Sequence, residues 1–521
     1  MSTRSALKDT TIAALAPELD ALAAEAMAEW KVPAVALAVV QDGETVLLKA
    51  WGRRDVEANL PATPQTQFVI CSITKPFPAT ALALLVDEGR LDWTKPVRDY
   101  IPEFRLHDAI ATERVTVRDL LCHHSGLPRH DWIWIPGDLK PTEMMMALRH
   151  LEPARDIRTE FQYNNLAYNA AGLVAERISG QSFEAFIRTR LTDKLKMPVS
   201  FSAEEYAVAE NAAVPYLVER DDERRRSKFF PITTTAAGAI TTSISAIANW
   251  MKFLLAEGEF EGERLLSPNL IREMQTPRVH ESAPEFEEFG HGHYGLGFRS
   301  SSYQGERTVG HSGGWLGWST LMRLIPARNI GVAVFTNTGG NPLPSILINR
   351  IHDHVSGKES VPWLDRLRDM RRKGLAQQKS DEAAKPAARK PDTRPSHDLA
   401  DFCGAYAHPA YGRMVITQNG DALHWAWRGM KAALPHRHYD SFQLPYVFGD
   451  LNPDDLVISF ATDRDGNIAS LSAQLEALVP DIVFTRAASG ECMDPAFRKA
   501  CIGEYIRGEA GGTQARHPAQ P

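Results

Sequence analysis

The chain has 521 residues, a formal net charge of −7 and 44% apolar residues. That length exceeds what one hydrophobic core supports and predicts two or three domains, at roughly 100–200 residues each. Mild acidity excludes a binder of nucleic acid or membrane built on a basic surface. The five cysteines (Cys71, Cys122, Cys403, Cys492, Cys501), never in a C-x-x-C pair, argue against a disulfide framework or a structural zinc site.

The N-terminal stretch, with Lys8, Asp9, Glu18 and Asp20 breaking its apolar run, reads as an amphipathic helix and not a signal peptide. No later apolar run is long enough to span a bilayer, so a soluble, cytoplasmic protein is expected. From Ala34 to Gly52 two apolar runs flank Asp42-Gly43, a hairpin signal.

The stretch "ICSITKPF", Ile70 to Phe77, follows. Ser72 and Lys75 sit at i and i+3, on one side of a helix, where an amine can take a proton from a hydroxyl. The pattern is weak alone, since Ser5 and Lys8 repeat it, and Ser72 also suits a helix N-cap. Pro76 and Pro78 mean either an irregular first turn or a regular helix that starts nearer Pro78.

Helical periodicity continues through "ATALALLVDEGRL" and "LAYNAAGLVAERISG", the latter closing on Gly180. Just ahead of the second helix, "FQYNN" places Tyr163 and Asn165 as Y-x-N. A phenol near an ammonium can act as general base, and an amide can hold a substrate carbonyl and the lysine. The bland alternatives are a buried tyrosine and an asparagine capping a helix that begins at Leu166.

Further on, "VGHSGGWLGW" gives His311, Ser312 and Gly313 as H-x-G leading into strands at "STLMRLIP" and "GVAVFTN". A glycine pair lets a substrate approach, and the Gly314 N–H can join that of Ser72 as an oxyanion hole. The bland alternative for His311 is a structural histidine at a strand end, and His124 to Gly126 is a second H-x-G. Trp132, Trp134, Trp315 and Trp318 are pocket walls or core. His291 with His293, and His436 with His438, lack a third ligand at a convincing spacing and read as solvated loop histidines; no metal or other cofactor is expected.

Strands at both ends of a helical middle section predict one sheet assembled from both ends, an α+β unit over residues 10–356. Residues 357–400 are charged, rich in alanine and proline, and read as a helix running into a solvated linker. Residues 401–487 alternate in short runs around Asn419-Gly420 and Asp465-Gly466, as in a small all-β barrel or sandwich, and 488–521 form a tail that reads as disordered.

S-x-x-K, then Y-x-N, then H-x-G, in that order, resembles the serine β-lactamase and penicillin-binding-protein superfamily, in its class C β-lactamase-related group. "LLVDEGRLDWTKPVRDYIPEF", "VTVRDLLCHHSGLP" and "TTAAGAITTSISAIANWMKFLL" extend the likeness. The terminal β domain is similar to the lipocalin-like domain of some family peptidases. The resemblance implies an antiparallel sheet flanked by helices with a helical subdomain. It makes Ser72 the acylated nucleophile, Lys75 its proton acceptor, Tyr163 the general base, and Asn165, His311, Gly313 and Gly314 substrate contacts.

His311 stands where many members have lysine, which points away from ordinary β-lactams and towards small esters, amides or D-amino-acid peptides. The implied partner is a small-molecule or short-peptide substrate, with no nucleic acid or membrane, and homo-oligomers are compatible with the family. The rival readings are a weak β-lactamase or DD-peptidase, and a non-catalytic binding protein of the same fold.

Overall fold

The computed structural model describes residues 11–218, 222–229, 231–444 and 456–487; the expected tail at 488–521 lies outside them. The chain divides into two compact units. Of the described residues, the first holds those between 11 and 390 together with 475–480, and the second 391–444, 456–474 and 481–487.

The first unit is built on an antiparallel sheet of nine described strands. They are β1 (Ala34–Gln41), β2 (Glu44–Asp55), β3 (Leu60–Pro61), β4 (Val279–Ser282), β5 (Gly292–Tyr294), β6 (Arg299–Tyr303), β7 (Glu306–Trp315), β8 (Trp318–Ile325) and β9 (Ile330–Thr336). Their order is β4-β5-β6-β7-β8-β9-β1-β2-β3, so β1 joins β9 in the middle and the sheet is assembled from both ends of the unit, as expected. Asp42 (φ 52°) and Gly43 (φ 82°) form the two-residue β1–β2 turn, both in the left-handed region that the twist of a hairpin demands.

β1 is buried along almost its whole length because both faces of the sheet are covered. Val35, Leu37 and Val39 pack with α1 (Ile12–Glu29) and, through Ile346, Leu347 and Ile351, with a late helix at Leu343–Ser356. The helices that carry the motifs are α2 (Pro76–Asp87) and α3 (Asn165–Ser179). α3 stops at Gly180, whose φ of 75° provides the left-handed C-terminal turn.

The proline question resolves cleanly. Cys71–Thr74 form a 3₁₀ turn, and α2 proper begins with Pro76 at its first position, where a missing N–H costs nothing. A further helix, Trp363–Ala388, runs on well past Leu375, where apolar residues stop. Alanine, lysine, glutamine and glutamate have high helix propensity, which sustains helix without a buried stripe.

The second unit is a nearly closed barrel of β-strands preceded by one short helix, Leu399–Phe402. Its described strands run in the order 430–434, 422–427, 412–419, 404–408, 482–486, 468–473, 457–462, 441–443 and 436–438. The two ends of that order are separated in sequence only by Pro435, so the sheet turns back on itself. Leu423, Trp425 and Trp427 point inward at alternate positions, filling the interior. The turns differ slightly from expectation: Asn419 pairs with Ala422, so the tight turn is Gly420-Asp421. The loop at Asp465-Gly466 spans Asp463 to Asn467, with the Asp463 carboxylate accepting from the N–H groups of Asp465 and Asn467.

Candidate active site

The 3₁₀ turn fixes the geometry of Ser72 and Lys75. The Lys75 N–H donates to the Ser72 carbonyl at 3.1 Å, and in a 3₁₀ turn side chains at i and i+3 eclipse. Lys75 Nζ accordingly lies 3.1 Å from Ser72 Oγ. Cys71, immediately before the serine, has φ 51°, a conformation that costs a non-glycine residue roughly 1–2 kcal/mol. The Cys71 thiol itself is buried, which pushes its pKa up and keeps it protonated.

Lys75 is fully buried (0% exposed) and makes two more bonds, to Asn165 Oδ1 at 2.8 Å and to the Ala237 carbonyl at 2.9 Å. None of its three partners carries a charge. Burial, followed by the nearby Arg129, holds its pKa well below the usual lysine range; Asp131 opposes this and Arg299 adds to it.

Tyr163 comes from the loop before α3, and its hydroxyl donates to Ser72 Oγ at 2.9 Å. Two cations and the Lys75 amine surround its ring: the Arg129 guanidinium at 5.1 Å, that of Arg299 at 5.7 Å and Lys75 Nζ at 4.7 Å from the centroid. Burial raises the Tyr163 pKa, while Arg299, the Ser72 bond and Arg129 lower it. The net direction is upward, so the resting phenol is neutral.

Asn165 is not the helix cap. Asn164 takes that role, its Oδ1 accepting from the Ala167 N–H at 2.7 Å. This frees Asn165 to donate from Nδ2 to Asp131 Oδ1 at 3.1 Å while its oxygen holds Lys75. Asp131 also accepts from Arg129 Nε and Trp134 Nε1, each at 2.6 Å.

His311, on β7, is buried with both ring nitrogens engaged. Nδ1–H donates to the Ser312 carbonyl at 2.6 Å, and Nε2 accepts from the Tyr294 hydroxyl at 2.8 Å. Burial, followed by the nearby Arg299, holds its pKa well below the usual range, so the ring is neutral. The cation next to the third motif is Arg299, on β6. It donates to Ser312 Oγ at 2.6 Å and pairs with Glu281 at 2.7 Å.

Gly313 is required by packing. A Cβ there would lie 2.4 Å from the Ile70 carbonyl oxygen, 2.4 Å from Thr320 Oγ1 and 2.8 Å from Cys71 Cβ, so only glycine lets β7 press against the turn that carries Ser72. The Thr320 hydroxyl seals this junction by donating to the Ile70 carbonyl at 2.9 Å. Gly314 has open space around its Cα and is exposed.

Trp134 and Trp315 pack together near this junction, ring centroids 4.7 Å apart, whereas Trp318 is core against Phe68. Trp132 is buried. His123 was missed by motif reading. Its ring lies 4.3 Å from that of Tyr163, and its Nδ1 accepts from the Asn164 N–H at 3.1 Å. Arg129, Asp131, Arg299 and Tyr294 were missed as well, because they come from one loop and two strands that only the fold brings together and have no spacing signal.

Among the described residues, Asp119, Cys122 and His124 bring three ligand types within reach of one point. Asp119 is already committed to Arg158 at 2.7 Å and to Thr116 at 2.7 Å, and burial pushes the Cys122 thiol up to about 12. The cluster is a helix cap and ion pair.

A serine on a 3₁₀ turn, a buried amine and a phenol meeting at an antiparallel sheet match the class of penicillin-binding-protein-like hydrolases. The Beta-lactamase family matches residues 19–355, and the chain belongs to that family. Residues 388–486 match a domain of unknown function, DUF3471. An unguisins hydrolase, ungD', of Aspergillus campestris is 26% identical over 410 residues, covering 74% of this chain and 75% of the relative.

The octameric penicillin-binding protein homologue from Pyrococcus abyssi has a TM-score of 0.61 at 26% identity, over 90% of this chain and all of that one. A D-stereospecific amidohydrolase from Streptomyces has a TM-score of 0.54 at 25% identity, over 65% of this chain and 99% of that one. Among the described residues, no helix is long and apolar enough to cross a membrane.

Proposed function

We propose that this hydrolase forms an acyl-enzyme on Ser72 and cleaves amide or ester bonds of small substrates such as D-amino-acid peptides, D-amino-acid amides or short esters. One observation carries the reading: buried Lys75 Nζ sits between two groups that can only accept and lies within reach of Ser72 Oγ. Asn165 Oδ1 and the Ala237 carbonyl can only accept, so they take the two N–H bonds of a neutral amine. The lone pair is left facing Ser72 Oγ at 3.1 Å.

In the first step the Ser72 hydroxyl proton passes to Lys75 as Oγ attacks the substrate carbonyl. The resulting oxyanion is received by the N–H groups of Ser72 and Gly314. Tyr163, bonded to Oγ at 2.9 Å, relays a proton from the Lys75 ammonium to the leaving amine or alcohol. Water then attacks the acyl-enzyme by the reverse route, regenerating the Ser72 hydroxyl and releasing the acid. Asn165 holds Lys75 and faces the substrate carbonyl, and Arg129 and Arg299 stabilise transient negative charge on Tyr163.

Neutral His311, with Arg299 already paired to Glu281, leaves no free cation for a substrate carboxylate at the third motif among the described residues. This favours uncharged esters and amides over carboxylate-bearing β-lactams. The D-stereospecific Streptomyces amidohydrolase supports the D-amino-acid part of the reading, and the octameric homologue supports self-association.

Intact-mass analysis after incubation with a fluorophosphonate tests the proposal. One adduct on the wild type and none on a folded Ser72→Ala variant is expected, with hydrolysis of short esters lost in parallel. Equal labelling or turnover in Ser72→Ala would remove the acyl-enzyme; an unlabelled wild type would favour a binding protein of the same fold.

A further inference from the structure

The histidines His291 and His293 acquire a third partner from the sheet register. β4 and β5 pair antiparallel at the edge of the main sheet, with His280 directly opposite His293 and Val279 opposite Tyr294. Val279 and Tyr294 are buried, so the alternation of a strand puts His280 and His293 on the outer face. His291, two residues before His293, shares that face. The ring of His280 lies 5.4 Å from that of His291 and 5.7 Å from that of His293, centroid to centroid.

One of the separations is already that of a metal chelate. His280 Nε2 and His291 Nδ1 are 3.2 Å apart. Two imidazole nitrogens on a tetrahedral zinc ion, at about 2.0–2.1 Å each, stand about 3.3 Å from one another. His293 is prepared in a second way. Its Nδ1–H donates to the His291 carbonyl at 3.2 Å, which fixes the tautomer with a lone pair on Nε2. A backbone acceptor on the far nitrogen is the usual outer support of a metal-bound histidine.

We propose that His280, His291 and His293 form a binding site for a divalent transition metal of the zinc or copper class at the β4–β5 edge. The ion takes the place of the proton shared by His280 and His291; that proton moves to the other nitrogen of its ring, so each histidine binds as neutral imidazole. His293 completes the set by a ring rotation about its side-chain torsions. Three neutral nitrogens and an open fourth position match zinc or copper, and exclude magnesium or calcium, which take oxygen ligands. The site lies on a bulged edge strand, where a cross-strand ion would fix β4 to β5.

The test is calorimetric titration of the full chain with Zn²⁺ alone, paired with the EPR spectrum of added Cu²⁺. Wild type is expected to bind one ion at its tightest site, with nitrogen couplings in the Cu²⁺ spectrum and a raised melting midpoint when Zn²⁺ is added. His280→Ala and His291→Ala should each weaken that binding about tenfold or more and remove the midpoint shift. His436→Ala, on the barrel, should leave both unchanged. No binding by the wild type, or equal binding by His280→Ala and His291→Ala, overturns the proposal. So does tight binding that is lost only in Cys122→Ser, which would move the ion to Asp119, Cys122 and His124.

Discussion

Two polar centres of the first unit use similar materials in opposite ways. At one corner Glu306 accepts from Arg328 at 2.5 and 2.8 Å, from His352 at 3.1 Å and from Ser356 at 3.1 Å. These donors pull its pKa down to about 2. At the other centre Lys75 is fully buried with only uncharged partners, and the nearest acid, Asp131, reaches it through Asn165. The Glu306 corner matches every charge, so its protonation stays fixed across working pH. The Lys75 centre leaves an amine unmatched, so its proton is easily lost and regained, which the proposed chemistry requires.

The sharpest way to break this contrast is Lys75→Met. General acid–base catalysis by a positioned group contributes about 10²–10⁴-fold, and the fluorophosphonate labelling rate is expected to fall by that order. Stability changes far less. The desolvated amine is gone, but Asn165 Oδ1 and the Ala237 carbonyl lose a donor, each at about 1–3 kcal/mol, so the two effects oppose. The pH dependence carries the signature. Between the lowered folded pKa and the unfolded value of about 10.4, the unfolded chain binds a proton that the folded chain does not. Wild-type stability therefore rises with pH across that window, and the rise should be missing from Lys75→Met in denaturant titrations. An unchanged slope would mean that Lys75 is charged when folded.

The motif residues were legible because their spacing is physical: i and i+3 on a tight turn place Ser72 beside Lys75 whether the turn is 3₁₀ or α. The Asp42-Gly43 turn was legible for the same reason, since Asp-Gly supplies the left-handed pair that a type I′ two-residue hairpin needs. Asn164 and Asn165 were not separable, because either amide can cap a helix and only the start of α3 decides. The charges that tune the site were invisible. Arg129 and Asp131 lie on one loop and Arg299 on β6, and in sequence each reads as a solvated surface charge. The third histidine at the β4–β5 edge was hidden because its proximity depends on strand register.

The placement of the reactive centre breaks next. Gly313→Ala puts a methyl group 2.4 Å from the Ile70 carbonyl oxygen, which belongs to the turn and cannot swing away. Overpacking of this kind costs about 1–3 kcal/mol, and relief requires β7 to move away from Ser72. A lower denaturation midpoint together with slower labelling is expected. Gly314→Ala meets nothing within 4 Å and should hold stability to within about 0.5 kcal/mol. Equal stability losses at the two positions would show that the junction is looser than its distances imply.

Glu306→Gln acts on the matched corner alone. The side chain is 20% exposed, so solvent screens part of the benefit of its low pKa, and the expected loss is about 1–2 kcal/mol at neutral pH, with the labelling rate of Ser72 unchanged. The sign with pH is opposite to that of an unpaired carboxylate in a greasy site. Because the folded pKa is depressed to about 2, the wild type holds its full benefit above the unfolded value of about 4.3 and loses it as pH falls from there to about 2. Wild type and Glu306→Gln should therefore converge in stability on acidification through that window. Divergence instead would mean that Arg328 and His352, and not the carboxylate, dominate the corner. A drop in labelling at neutral pH would show that the two centres are coupled along β7, whose start carries Glu306 and whose far end carries His311 and Gly313.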